Sequence, residues 1–187
     1  AVMLSLSDLV KAEISGNSGL LSDKYDRAFI LFPKKASDFS CKYFIQPFLD
    51  LICLVMAGFE LNETFPVSLI CKDRIITAAF RVPDQKLCCE YLKYLLKDLT
   101  ENAHDYFLPV EAVMSWKYGN EHKALESCIA ELLENSWKIN SCSYGPIETG
   151  DFSFLQNHDA ESLAEKRFGL FFETFIPCAQ IAKHSDE

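Results

Sequence analysis

The sequence is short of the residues from which most catalytic and phosphate-binding motifs are built. Glycine occurs 7 times in 187 residues, and neither a Gly-rich phosphate loop nor a GxSxG elbow can be assembled from those positions. Histidine occurs 4 times, at His104, His122, His158 and His184, and none of these has a companion at triad or metal-ligand spacing. There is no CxxC and no HxxxH, which removes the usual zinc frameworks. Positive charge is scarce as well. Eighteen Lys and Arg against 27 Asp and Glu leave a net charge of −9, opposite in sign to what binding a phosphate backbone rewards. Internal repeats and low-complexity tracts are missing. The unbroken apolar run at 51–59 falls well short of the roughly 20 residues that a bilayer core demands, and Gln46 and Asp50 interrupt the stretch before it. The sequence therefore predicts no membrane span.

What is present is material for a packed interior. Hydrophobic residues make up 49% of the chain and Phe alone appears 15 times, which argues against disorder and suits one domain spanning 1–187. Eight cysteines, two of them adjacent at Cys88-Cys89, follow no secreted disulfide spacing and accompany no legible signal peptide. They read as small core hydrophobes in a reducing cytoplasm.

The chain is organised around 43–82. Phe44, Phe48, Leu51, Ile52, Val55 and Phe59 fall at helical spacing, with Pro47 in a first turn and Gly58 placed for a left-handed cap. The apolar, β-branched stretch that follows is broken by Lys72-Asp73-Arg74 and predicts two strands, near 66–72 and 74–82, joined by a tight polar turn. Ahead of this centre, Ser7 caps a predicted short helix that Gly16-Asn17-Ser18-Gly19 breaks. Phe29-Ile30-Leu31-Phe32 reads as a strand or as part of a long loop, and 1–40 as a whole is the least legible region. After the centre, Asp84 is placed as the N-cap of a helix over 84–102, whose face is Leu87, Tyr91, Tyr94, Leu95 and Leu99. An extended connection at Tyr106-Phe107-Leu108-Pro109 leads to a short helix running towards Trp116. Helices near 121–137 and 159–175 complete the pattern, separated by a Ser-, Gly- and Pro-rich loop, and the tail from Lys183 should fray. The fold class is α/β (α+β), a small mixed sheet covered by helices.

This order of elements resembles a known family. In 45–58, Ile45-Gln46-Pro47-Phe48-Leu49-Asp50-Leu51-Ile52-Cys53-Leu54-Val55-Met56-Ala57-Gly58 matches a helix of the type L-x-P-W-L-x-H-L-L-L-C-A. Arg81-Val82-Pro83-Asp84 stands where that family has a Leu-Pro-Pro turn after two strands. A helix, Phe107-Leu108-Pro109 and Ser115-Trp116 follow in order, then Leu133-Glu134-Asn135-Ser136-Trp137, Gly150-Asp151-Phe152 and a last amphipathic helix closing at Phe175. From about 43 to 175 the chain resembles the C-terminal domain of the RecC family, the gamma subunit of exonuclease V (RecBCD), while 1–40 fits poorly. The resemblance implies a degenerate nuclease-like fold of the PD-(D/E)xK type without an active site, and helicase-like domains lying before Ala1. It further implies a non-catalytic role in double-strand break repair and recombination, with RecB-like and RecD-like subunits as partners and DNA met through the assembled complex. Catalytic, cofactor and metal residues are then expected to be none.

The rival is an active Mg²⁺-dependent nuclease, which needs one Asp on a strand and an acidic-x-Lys on the next, two carboxylates holding the ion and the Lys assisting the water. Asp73 followed by Asp84-Gln85-Lys86 supplies those letters, although Pro83 and the helix start favour a capping role for Asp84. Glu121-His122-Lys123 has the letters without a partner strand. Lys34-Lys35 and Lys72 with Arg74 are the basic pairs a phosphate backbone could use, and solvated surface is the plainer reading of each. Isolated, the domain should bind DNA weakly and in a salt-sensitive way. Tyr106, Phe107 and Trp116 are the candidates for a partner-facing patch, against the plainer alternative of a satellite core cluster. An interaction domain unrelated to recombination would explain the composition but not the matched order.

Overall fold

The computed structural model describes residues 2–5, 11–36, 40–101, 108–119, 123–134 and 160–177. A two-stranded antiparallel hairpin comes first, β1 (Val2–Ser5) with β2 (Lys11–Ile14). A five-stranded sheet follows, built from β3 (Leu20–Leu21), β4 (Ala28–Leu31), β5 (Thr64–Ile70), β6 (Ile75–Arg81) and β7 (Phe175–Ile176), in that spatial order. β4 and β5 are parallel and every other pairing in that sheet is antiparallel. The described helices are α1 (Ile45–Met56), α2 (Gln85–Glu101), α3 (Val110–Tyr118), α4 (Leu125–Glu134) and α5 (Ala160–Thr174). The mixed α/β class expected from the sequence is the class observed.

Helix α1 begins as its sequence dictates. Ser40 accepts the Lys42 N–H to cap a 3₁₀ turn, Cys41–Phe44, that leads directly into α1, and buried Pro47 sits in the first turn, where its missing donor has no intrahelical partner. At the other end Gly58 adopts φ 80°. Its N–H donates to Val55 O and the Phe59 N–H donates to Leu54 O, the paired reversed bonds of a left-handed helix stop. That stop swings Phe59 off the buried stripe. It is 44% exposed, so the helical face read from the sequence ends at Val55.

Strands β5 and β6 each alternate buried and exposed positions. Phe65, Val67 and Leu69 face the core beside Ile76, Ala78 and Phe80. Pro66 is tolerated inside β5 for a directional reason. The Ile70 carbonyl accepts from Phe32 N–H, so even-numbered backbone groups of β5 point towards β4. At Pro66 that side is empty of strand, because β4 pairs only with 67–70.

The core is aromatic at its centre. Phe48 of α1 stands 5.6 Å from Phe80, 5.4 Å from Phe171 and 5.7 Å from Tyr91. Phe175 stacks on Phe171 at 5.2 Å and meets Phe44 at 5.0 Å. One cluster of buried side chains takes members from all five helices and from strands β1, β4, β5, β6 and β7. Around this core α2 starts under its predicted cap, with the Leu87 N–H donating to Asp84 Oδ1 at 2.8 Å.

The entry segment corrects the sequence-based expectation. A short helix was predicted after Ser7, yet Lys11–Ile14 is a strand, paired residue for residue with β1 from Val2↔Ile14 to Ser5↔Lys11. Lys, Ala and Glu favour helix by intrinsic propensity, but Val2 and Leu4 are buried against the core and pairing with β1 overrides that preference. The ambiguous run at 29–32 is resolved as strand β4 and its exit.

Candidate functional site

The positions a nuclease would use are not brought together. Asp73 lies in the turn before β6 and Asp84 lies just after it. Seven residues of intervening strand, at about 3.3 Å each, separate them by roughly 20 Å, several times the spacing of two ligands on one ion. Each carboxylate has another task. Asp84 caps α2, and Lys86 points into solvent, 86% exposed beside Glu90. Asp73 accepts the Ala36 N–H at 2.8 Å and the Arg74 Nε–H at 3.2 Å.

The Asp73 bond explains a turn that lacks the usual Asn-Gly chemistry. Cys71 N–H donates to Arg74 O across Lys72-Asp73. Among the described residues Tyr25 is the non-glycine with positive φ, so this is not a primed hairpin turn. The turn is held from outside: Lys72 N–H donates to Lys34 O at 2.9 Å, and Asp73 ties down Ala36. The Ala36 N–H, and secondarily Arg74, hold the Asp73 carboxyl below its usual value near 3.8. A lowered folded-state pKa contributes stability above the usual value and loses it as pH falls through the lowered one. We expect the Ala36 amide to exchange faster in Asp73→Ala than in the native chain at neutral pH, and the two to converge in acid. Equal exchange at neutral pH would count against this tie.

The same tie brings two basic pairs to one end of the sheet. Lys34, Lys35, Lys72 and Arg74 are all exposed there, with Asp73 as the acid within the turn. In the sequence these pairs are far apart, and the Lys72–Lys34 and Ala36–Asp73 bonds bring them together.

Beside this basic end the sheet presents an open face. The side chains that meet the helices are those of one face, and the alternate set points outward. Leu20, Leu31, Ile70, Ile75 and Ile176 share the outer face by register, through Leu31↔Ile70, Ile70↔Ile75, Leu20↔Phe29 and Ala79↔Ile176. All five are exposed, Leu31 and Ile75 to 64% each. Leu31, Ile70 and Ile75 stand side by side across three strands and form a patch, with Leu20 two positions along and Ile176 further off opposite Ala79. The alternation was legible in the sequence, but which alternate set lay uncovered was not.

Of the aromatic candidates, Tyr106 and Phe107 lie outside the described residues, as do all four histidines, Glu121-His122 and Trp137. Trp116 is half-buried. Its ring meets Phe172 edge-on at 6.2 Å, and Lys117 Nζ lies 5.2 Å from the Trp116 ring and 4.7 Å from the Phe172 ring while pairing with Glu165 at 2.9 Å. Trp116 therefore sits at the seam of α3 and α5, in contact with the core cluster.

Among the described thiols, Cys41, Cys88 and Cys128 are buried packing residues. Cys88 is fully buried, and burial, then the nearby Asp84 charge, pushes it up to about 12, far from the thiolate a reactive cysteine needs. The six described cysteines are free thiols. Among the described residues no group of three or more His, Cys, Asp or Glu converges as a metal site, and no helix is long and apolar enough to cross a membrane. Compared with known protein families, characterised proteins and solved structures, the chain matches none.

Proposed function

We propose that the chain is a non-catalytic assembly domain of the exonuclease V gamma-subunit type, which docks a RecB-like or RecD-like subunit through the open face of its sheet. The observation that carries this is the exposed apolar patch of Leu31, Ile70 and Ile75, with Leu20 beside it on the same face. Such a surface has the apolar centre of a protein interface, with a polar rim supplied here by Lys72 and Arg74. The order of α1, the β5–β6 hairpin, α2, α3, α4 and α5 supports the choice of family, since the resemblance rests on that order. Separation of Asp73 from Asp84 supports a nuclease-like sheet used for shape rather than chemistry. DNA is then met through the cytoplasmic complex, and weakly by the domain alone.

The test is co-expression of the full chain with RecB-like and RecD-like subunits, followed by affinity capture. The native chain should retain one of them, and a Leu31→Asp/Ile75→Asp variant should lose capture by about tenfold or more. Its unfolding midpoint should stay near the native one, because both positions face solvent. Undiminished capture by the variant would overturn the docking face. Failure of the native chain to retain either subunit would overturn the exonuclease V assignment. Cleavage of linear DNA with Mg²⁺ that vanishes in Asp84→Ala would overturn the non-catalytic role.

A further inference from the structure

Between the β1–β2 hairpin, the loop at 15–19 and the exposed side of α1 lies a groove of about 590 Å³, within the size range of small-molecule sites. Val2, Ile14, Leu21 and Leu54 give it apolar walls, the polar loop of Ser15, Asn17 and Ser18 forms one side, and Tyr25 and Phe59 stand at its rim with ring centroids 5.1 Å apart. Asp50 supplies its charge. Among the described residues lining the groove no other ionised side chain appears.

Asp50 is unusual for a carboxylate on an apolar helix, being only 6% exposed. Oδ2 accepts the Gly19 N–H at 2.9 Å, and Oδ1 accepts from the Gln46 side-chain amide at 3.1 Å. A carboxylate offers about four acceptor positions, so these two bonds leave acceptor capacity on the groove side. The surroundings are shaped around it. A Cβ at position 19 would lie 3.1 Å from Oδ2, so glycine permits the close approach of that loop. Tyr25 is held at φ 57°, a conformation that non-glycine residues rarely adopt. The turn that holds it is pinned by Ser22, whose Oγ donates to Asp26 Oδ1 at 2.7 Å and accepts the Asp26 N–H at 3.1 Å. Burial, outweighing the Gly19 and Gln46 hydrogen bonds that act the other way, holds the Asp50 carboxyl above its ordinary range, an imbalance that a bound cation would relieve.

We propose that this groove binds a small organic cation, an ammonium group on an apolar stem, with the charge on Asp50 and the stem along Val2, Ile14 and Leu54 beneath the Tyr25–Phe59 rim. An anion would meet Asp50 with like charge. A neutral apolar molecule would fill the walls but leave Asp50 buried without a counter-charge.

The test uses the ¹⁵N-labelled full chain titrated with n-hexylammonium chloride, with n-hexanol and sodium hexanoate as probes of the same stem. Hexylammonium should shift the Gly19 and Tyr25 amides in a saturable way. Hexanol should bind about tenfold or more weakly, the margin of a charge-assisted contact, and hexanoate more weakly still. Asp50→Asn should bring hexylammonium down to the level of hexanol. This variant can keep both native bonds, its oxygen accepting from Gly19 and its amide donating to a flipped Gln46. Gln46→Ala, which retains the Asp50 charge, should keep the preference for ammonium. Equal affinity for hexylammonium and hexanol, an unchanged preference in Asp50→Asn, or silence at Gly19 and Tyr25 would each overturn the assignment. The probe comparison on the native chain decides the matter even where a variant fails to fold.

Discussion

Phe48→Ala should lower the unfolding free energy by about 3–5 kcal/mol, the range for removing a fully buried aromatic ring. The residue is 1% exposed and its ring is met by Phe80 from β6, Phe171 from α5 and Tyr91 from α2. Four elements converge there, so collapse into the vacated space would have to move all of them at once, and the cavity term stays large. Urea unfolding measures the loss. Leu31→Ala, on the open face, is the control and should change stability by no more than about 0.5 kcal/mol. A loss below about 1 kcal/mol for Phe48→Ala would mean that these rings do not form the centre of the core.

Arg167→Met should also be strongly destabilising, by about 3 kcal/mol. Arg167 Nη2 and Nε contact Asp98 Oδ2 at 2.7 and 2.9 Å, and the Asp98 side chain is only 8% exposed. Removing the guanidinium takes a close cation from a nearly buried carboxylate, which costs more than the net worth of the pair. The asymmetry provides the check. An Asp98→Leu/Arg167→Met chain should recover most of the loss, because an apolar pair of similar volume needs no counter-charge. A double mutant no more stable than Arg167→Met would show that the ion pair is not the source of the effect. The backbone at this residue has a further anchor, since the Tyr91 hydroxyl donates to the Arg167 carbonyl at 2.7 Å, and the substitution leaves that bond in place.

The legible and illegible parts of the sequence divide along a physical line. Helices α1, α2, α4 and α5 announce themselves through apolar stripes long enough to show a period, although α2 buries Cys88 and Leu92 and leaves Leu87 and Leu99 of the expected face exposed; Pro109 marks α3, and Asp84 and Gly58 mark boundaries through local chemistry alone. Hairpin β5–β6 is legible for the same reason, as two apolar runs on either side of a charged break. Strands β2, β3 and β7 are too short for a period to emerge, and each depends on a partner elsewhere in the chain. Lys11-Ala12-Glu13-Ile14 reads as helix until β1 is placed beside it. The features that matter most for the two sites are of this second kind. Asp50 counts, in the sequence, only as an interruption of an apolar helix, because its partner Gly19 belongs to another segment. The meeting of Lys34 with Lys72 is set by backbone pairing and by the Asp73–Ala36 bond, which no residue pattern encodes. The sequence offers Tyr106, Phe107 and Trp116 as candidates for an exposed apolar face, because a Pro-bearing connection carries large rings there. The patch on the sheet arises separately, from aliphatic positions in strict alternation.

The place of β7 bears on how the chain can be made. Its two residues pair with Ala79 and Phe80, yet they follow the last described helix, while β5 and β6 are joined by the shortest of turns. Hairpin and α1 can therefore assemble from neighbouring segments, whereas the ring cluster of Phe48, Phe80, Phe171 and Phe175 closes only when the distal helix arrives. Closing so long a loop adds little to the equilibrium cost, since that entropy grows slowly with length, but distant pairings slow the search. During synthesis Phe80 and Phe48 would wait in an incomplete core until α5 leaves the ribosome. A chain interrupted ahead of Ala160 would keep its hairpin and its first helix, and would present that half-built aromatic surface to whatever else is in solution.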